Sequence, residues 1–291
     1  MSSGLIFDPG ARARPPAVAD PAAARRAGPP RGVDVIAEWH FTDLEFVVAW
    51  EAAHDTLVPR PFVYTSRIVL REDNIRVRRE VGERLRERLG ADFGSAVEAL
   101  SHPDIRAVVR GWRGAQGDPR ARVRILAARR GDRGYLVDQE PGETVWHSRS
   151  FTVWAFHALQ LGPAVAGALP AEKPGLLGTV ALDGDDAAGH DHRFRRSRSH
   201  EDVDDAERDD LETFRTANRV GAGVIEVAQG RSRFGPRGMA RREIEWTDLE
   251  SDGRYVIAGA PRRATPVGDD GMRAVLDGEI AEIVAAIKDE R

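Results

Sequence analysis

Three carboxylates, Asp248, Glu250 and Asp252, alternate along the stretch EIEWTDLESDGRYVI, and His190, Asp191, His192 and His200 crowd one polar segment. Residues of these types could hold a metal and activate water, so a metal-dependent hydrolase is one reading of the chain. Structural and catalytic zinc sites, however, need three or four ligands held by supporting contacts, and a polar segment without apolar anchors supplies little support. The carboxylates have a simpler role. In RREIEWTD polar residues alternate with Ile244 and Trp246, LESDG carries turn chemistry with Gly253 free to take positive φ, and RYVI resumes the strand. A hairpin is expected, with Asp248 and Arg254 pairing across it for ~0.2–1 kcal/mol if the pair is exposed.

Ser148, Ser150, His147 and His157 hold the residue types of a serine hydrolase, but no Gly-x-Ser-x-Gly elbow is present. His147 and Ser148 should point to opposite faces of a strand, and His157 reads as a hydrogen-bonded core histidine within an apolar helix. Gly230, Gly235 and Gly238 lie among arginines in GRSRFGPRGMARR, where a phosphate cradle is conceivable. The Lys-Ser/Thr pair and the following helix of a P-loop are missing, so the segment reads as a hairpin connection. Of the six tryptophans, most fall in strands or apolar helix faces and are expected in the core, leaving a minority as partner anchors.

The bounds on function agree with a binding protein. Across 291 residues, 43 basic side chains face 47 acidic ones, with Lys173 and Lys288 the only lysines. That near balance disfavours a nucleic-acid adaptor that depends on excess positive charge, although Arg-rich loops keep the reading open. Without cysteine the chain has no disulfide and no thiolate chemistry. The Pro-, Ala- and Arg-rich residues 1–32 lack the apolar core of a secretory signal and read as a disordered arm. Residues 153–169 are the most apolar run, too short and interrupted for a bilayer span, and read as a core helix of a cytosolic protein.

The elements that must position these residues come in two similar runs. The segment VDVIAEWHF reads as a strand. Thr42 and Glu45 of TDLE then form a capping box before the apolar FVVAW, so this copy of the tetrapeptide opens a helix, whereas the copy at 247–250 ends a strand. An amphipathic helix follows from Asp73 to Gly90, carrying pairs such as Glu80 with Arg84, and then a short helix near 93–100. IRAVVRGW, ARVRILAAR, GYLVDQE and TVWHSRSF form a meander that passes into the apolar helix from Thr152. Residues 183–206 are a charged linker. Beyond it come a helix near 211–218, the strands GVIEVAQG, MARREIEW, RYVIAGA and RATPV, and a final helix from Asp269 to about Lys288 with Met272, Leu276, Ile280, Ile283 and Ile287 on one face. GDRGYLV at 131–137 even echoes SDGRYVI at 251–257. The order helix, meander, helix occurs twice, which predicts an α/β (α+β type) fold: a central antiparallel sheet from two pseudo-equivalent halves, 33–182 and 207–288, flanked by helices.

RREIEWTDLESDGRYVI is similar to the signature hairpin of the EspG family, chaperones of type VII (ESX) secretion. FTDLEFVVAWEAAHDTLVPRPF resembles that family's first helix and Pro-x-Pro step, ALSHPDIRAVVRGW its helix-Pro-strand step, and VAGALPAEKPG its Leu-Pro-x-x-x-Pro-Gly exit. The resemblance implies a cytoplasmic, non-catalytic protein without cofactor or metal, which binds the apolar helical tip of a PPE protein in a PE–PPE heterodimer and binds neither nucleic acid nor membrane. It also implies contact through the loop between early strands, the sheet face and the C-terminal helical bundle. Carried onto this sequence, the contact residues expected are Arg113, Gln116, Asp118 and Arg120 in one loop, with Arg231, Phe234, Arg237 and Met239 in a second.

Overall fold

The computed structural model describes residues 28–54, 57–182 and 198–290, and only the backbone of 198–206. Ten strands form one antiparallel sheet in the order β1-β5-β4-β3-β2-β7-β8-β9-β10-β6. The first half comprises β1 (Ala37–Thr42), α1 (Asp43–Ala53), α2 (Arg71–Arg88), α3 (Ala91–Ser101), the meander β2 (Ile105–Arg113), β3 (Arg122–Arg130), β4 (Arg133–Pro141) and β5 (Ser148–His157), and α4 (Leu161–Ala168). The second half repeats the order with β6 (Val180–Ala181), α5 (Arg198–Thr216), β7 (Arg219–Gln229), β8 (Arg241–Leu249), β9 (Arg254–Ala258), β10 (Arg263–Pro266) and α6 (Asp269–Asp289). In each half the leading strand pairs with the last strand of its meander and becomes a sheet edge. The halves join where β2 lies antiparallel to β7, from Ile105 opposite Gln229 to Arg113 opposite Gly221.

Strand alternation sorts the core into layers. Odd-numbered β2 residues Ile105, Ala107 and Val109, with Ile125, Ile225 and Ile244 on neighbouring strands, face α4 and α6, whose Leu161, Val165, Leu276 and Ile283 are buried against them. On the other face α1, α2 and α3 cover the first-half strands, with Phe46 stacked on Phe151 at 4.1 Å between ring centroids. Farther along that same face, Phe214 of α5 packs edge-on to Tyr255 of β9. The Thr42–Glu45 capping box opens α1 as expected, because the Thr42 hydroxyl accepts from the Glu45 amide while the Glu45 carboxylate accepts from the Thr42 amide.

Several expectations are corrected. The run after Thr152 is strand, not helix: Phe151, Val153 and Ala155 enter one layer and Trp154 and Phe156 the other, so a strand buried on both faces reads as a continuous apolar run. His157 accordingly ends β5, exposed, and accepts from the Leu159 amide, so it is no core histidine. His147 lies in the turn before β5 rather than in the strand. Glu80 pairs with Arg76, one turn earlier, rather than with Arg84. The arm expected over 1–32 is anchored at its end, where Arg31 pairs with Asp269 at 3.0 Å and donates to the Leu169 carbonyl. Helix α5 reaches back to Arg198, into the segment read as linker.

The hairpin β8–β9 has a buried charge pair at its base. Arg254 donates to both oxygens of Asp248 at 2.6 and 2.9 Å and to the Pro170 carbonyl at 2.8 Å, and both side chains are 1% exposed. The surface-pair estimate therefore does not apply. A buried pair with one partner removed leaves an uncompensated charge. Gly175 crosses the Tyr255 ring so closely that a β-carbon there would lie 2.0 Å from Tyr255 Cζ, which fastens the segment after α4 to the same hairpin. Asp248→Asn should cost about 3–5 kcal/mol in urea unfolding; an unchanged midpoint would show that Arg254 is neutralised by other groups.

A second carboxylate tunes stability with pH. Asp138, half-buried on β4 between Ile125 and Thr152, has its pKa pushed up to about 7 by burial, with Glu140 adding repulsion. The folded state then holds a proton that the unfolded chain releases near pH 4, so the penalty is absent at low pH, grows as pH rises and is full above about 7. Asp138→Asn should raise the thermal midpoint at pH 8, by an effect on the order of 1 kcal/mol, and leave it nearly unchanged at pH 4. Equal shifts at both values would overturn this assignment.

Candidate interaction surface

The face of the sheet that carries α1–α3 at one end and α5 at the other is bare between them. Register places Arg124, Arg110, Val224, Glu245 and Ile257 in one row across β3, β2, β7, β8 and β9. Arg122, Trp112, Ala222 and Thr247 form the next row. These rows floor a groove of about 750 Å³ walled by Pro61, Val63, Val145 and Trp146. A smaller cavity of about 310 Å³ continues it past Arg110 to Arg106, Val108, Leu126 and Glu226, beside Pro59 and Leu100. Trp146 stands on the rim with 67% of its surface exposed, while Trp50, Trp154 and Trp246 are buried as expected. The four strands common to both rows, β3, β2, β7 and β8, span about 15 Å, wider than the ~10–12 Å of one helix, so the floor has room for a helix laid upon it.

The two predicted loops flank this floor at opposite ends. The β2–β3 loop follows Arg113 at the Trp112 end, whereas the β7–β8 loop follows Gln229, which lies opposite Ile105. Antiparallel pairing over nine residues separates them by roughly 25 Å. The structure thus brings Gln116 and Arg120 to one end of the groove, exposed, and places Arg231, Phe234 and Arg237 at the other, also exposed. Met239 is half-buried. Arg113 is engaged internally, donating to Glu172 at 2.5 Å with Asp248 at 3.6 Å. Asp118 caps the 3-10 turn at Pro119–Ala121 by accepting from the Arg120 amide. In the second loop Ser232 and Arg233 both bond Glu290 at the end of α6, which fixes the base from which Phe234 projects.

Most residues singled out for chemistry have a structural partner where they are described, although the buried Ser148 hydroxyl has none among the described residues. Asp248 is taken by Arg254; Glu250 accepts from Asn218 at 2.7 Å; Asp252 accepts from the Tyr255 hydroxyl at 2.8 Å and from the Leu176 amide. Burial and the Asp252 carboxylate push the Tyr255 hydroxyl well above its ordinary range. Ser150 donates to Glu140, and His147 contacts Thr144 at 2.6 Å. His190, Asp191 and His192 lie outside the described residues, as does the His200 side chain. Among the described residues no three His, Asp or Glu side chains converge as metal ligands, and no helix is long and apolar enough to cross a membrane.

The family resemblance implied a sheet face, but the residues read by themselves did not give the floor. Its signal was nonetheless present: ARVRILAAR alternates Arg122 and Arg124 with Val123 and Ile125, so a strand buried on one side carries two arginines on the other. What local pattern cannot give is the neighbour. Arg124 meets Arg110 and then Val224 only after β2 pairs with β7.

A search of curated protein sequences returns no match. Among solved structures, the chain is similar to the Mycobacterium tuberculosis type VII secretion system chaperone EspG5, solved in complex with the PE25–PPE41 dimer. The TM-score is 0.51 at 13% identity, covering 84% of this chain and 96% of the other, so the two share a fold. The sequence profile of the EspG family matches residues 42–277, from the capping box of α1 to the middle of α6, and by this match the chain belongs to the EspG family.

Proposed function

We propose that this protein is a chaperone of type VII secretion that binds the apolar helical tip of a PE–PPE-type heterodimer in the cytoplasm, keeps it soluble and presents it for export. Membership of the EspG family and the shared fold with EspG5 support the general role. The observation that carries it in this chain is the bare four-strand floor between two helical walls, with Trp146 exposed at its rim. Exposed apolar patches on a free helical tip promote aggregation, and covering them removes apolar area from water at ~25 cal/mol per Å². Such a role asks for shape and charge and for no reacting group.

A pre-formed sheet suits the task. Its backbone is hydrogen-bonded on both sides of β2 and β7, so little order must be created on binding. The client tip would lie across the rows, with its apolar side chains on Val224 and Ala222 and against Trp112 and Trp146. Gln116 and Arg120 border one end of that seat.

Co-expression with the PE–PPE-like pair encoded nearest to this gene should give a stable complex of all three chains on size exclusion. Trp146→Ala should weaken it about 10- to 100-fold with an unchanged thermal midpoint, as expected for an exposed aromatic anchor. Failure of every type VII substrate pair encoded in the same genome to co-elute would overturn the proposal.

A further inference from the structure

The groove holds more positive charge than folding requires. Arg110 and Arg124 sit directly opposite each other on β2 and β3, and Arg122 is two residues along on the same face. Like charges placed opposite across strands destabilise a sheet. Arg219, at the start of β7, lines the same cavity and lies 6.0 Å from the Phe214 ring centroid. Among the described residues none of these four forms an ion pair, whereas their neighbours do: Arg106 with Glu226, Arg242 with Glu279, Arg262 with Glu245. Glu245 is the carboxylate lining the groove, and Arg262 takes it at 2.6 Å. Arg124 donates to the Val145 carbonyl at 2.8 Å, and burial together with Arg122 holds its guanidinium below its ordinary value. The cost is retained in the folded protein without an internal counter-charge.

Resting on the chaperone reading above, we propose that Arg110, Arg122, Arg124 and Arg219 make the groove selective for an acidic occupant: a helical tip whose apolar face is flanked by Asp or Glu. Apolar contact with Val224, Trp112 and Trp146 gives the seat its area, and the carboxylates complete the arginine set from outside. A basic tip is rejected because it would bring more positive charge onto an unneutralised floor. Guanidinium groups suit this role, since each offers a planar pair of donors to a carboxylate. Charge complementarity of this kind acts on partner choice and association rate more than on raw affinity.

The test uses two synthetic amphipathic helical peptides with the same leucine face, one flanked by glutamates and one by lysines, titrated into the full chain by fluorescence anisotropy. At 50 mM salt the glutamate peptide should bind at least ten-fold tighter, and the preference should shrink at 500 mM as screening shortens the reach of the charges. Arg110→Gln with Arg124→Gln should abolish the preference while leaving the thermal midpoint equal or higher, because a like-charge contact is removed. Equal affinities, no binding of the glutamate peptide, or a preference that survives in the double variant would each overturn the inference. The same variant assayed with a co-expressed PE–PPE-like pair separates the two readings. Undiminished capture of the pair removes charge selectivity and leaves the chaperone role standing, whereas a glutamate preference without capture of any such pair does the reverse.

Discussion

The antiparallel pairing of β2 with β7 is the constraint on which the remaining architecture depends. Each half carries a meander with one inner end and one outer end, and the inner strands complete each other's hydrogen bonds over nine residue pairs. Without the partner, β2 and β7 would present long unpaired edges rich in Val and Ile, which invite aggregation. With it, six helices can be shared between two faces. Helices α4 and α6 meet over the join on one side, while on the other α1–α3 and α5 leave the Arg110 and Trp112 rows of the central strands uncovered. The open floor is what this unequal covering leaves behind.

The hairpin that carries the strongest family likeness is a joint rather than a site. Arg254 reaches Asp248 within the hairpin and Pro170 beyond α4, and its backbone pairs with Lys173, Gly175 and Val267. Tyr255 receives Gly175 against its ring and the Leu177 amide on its hydroxyl. Two stretches that resemble the family separately, the Leu-Pro-x-x-x-Pro-Gly exit and the Gly-Arg-Tyr turn, are therefore two sides of one packed contact. Removing either surface leaves a buried guanidinium or a phenol without its partner, which explains why they occur together.

Much of the fold was legible because local signals agreed with the global pattern. The Thr42 box started its helix, the β8–β9 turn closed with Ser251 at φ 64 and Gly253 at φ 155, and Met272, Leu276, Ile280 and Ile283 formed the buried stripe of α6. The duplicated order also survived: the echo between GDRGYLV and SDGRYVI places Tyr135 in β4 and Tyr255 in β9. The misreading at 152–157 came from a strand buried on both faces, where period-two alternation vanishes. Of the candidate surface, the loops could be read as loops and the floor could not. Loops announce themselves by Gly and Pro, but a floor built from four strands exists only in the sheet order, and Arg110 gains its meaning from Arg124, fourteen positions away in sequence and adjacent in register.

At the centre of the join Gly111 lies opposite Gly223, and the Trp246 indole covers both; a β-carbon on Gly223 would fall 2.1 Å from Trp246 Cη2. Any slip of one half along the other would drive a side chain beneath that ring. The tryptophan thus acts as a register key that converts two similar halves into a single stiff plate. A stiff plate cannot mould its backbone to different occupants, so variety in what is recognised must be written in the side chains of its open face, loops and rim, and can change there by substitution without endangering the scaffold.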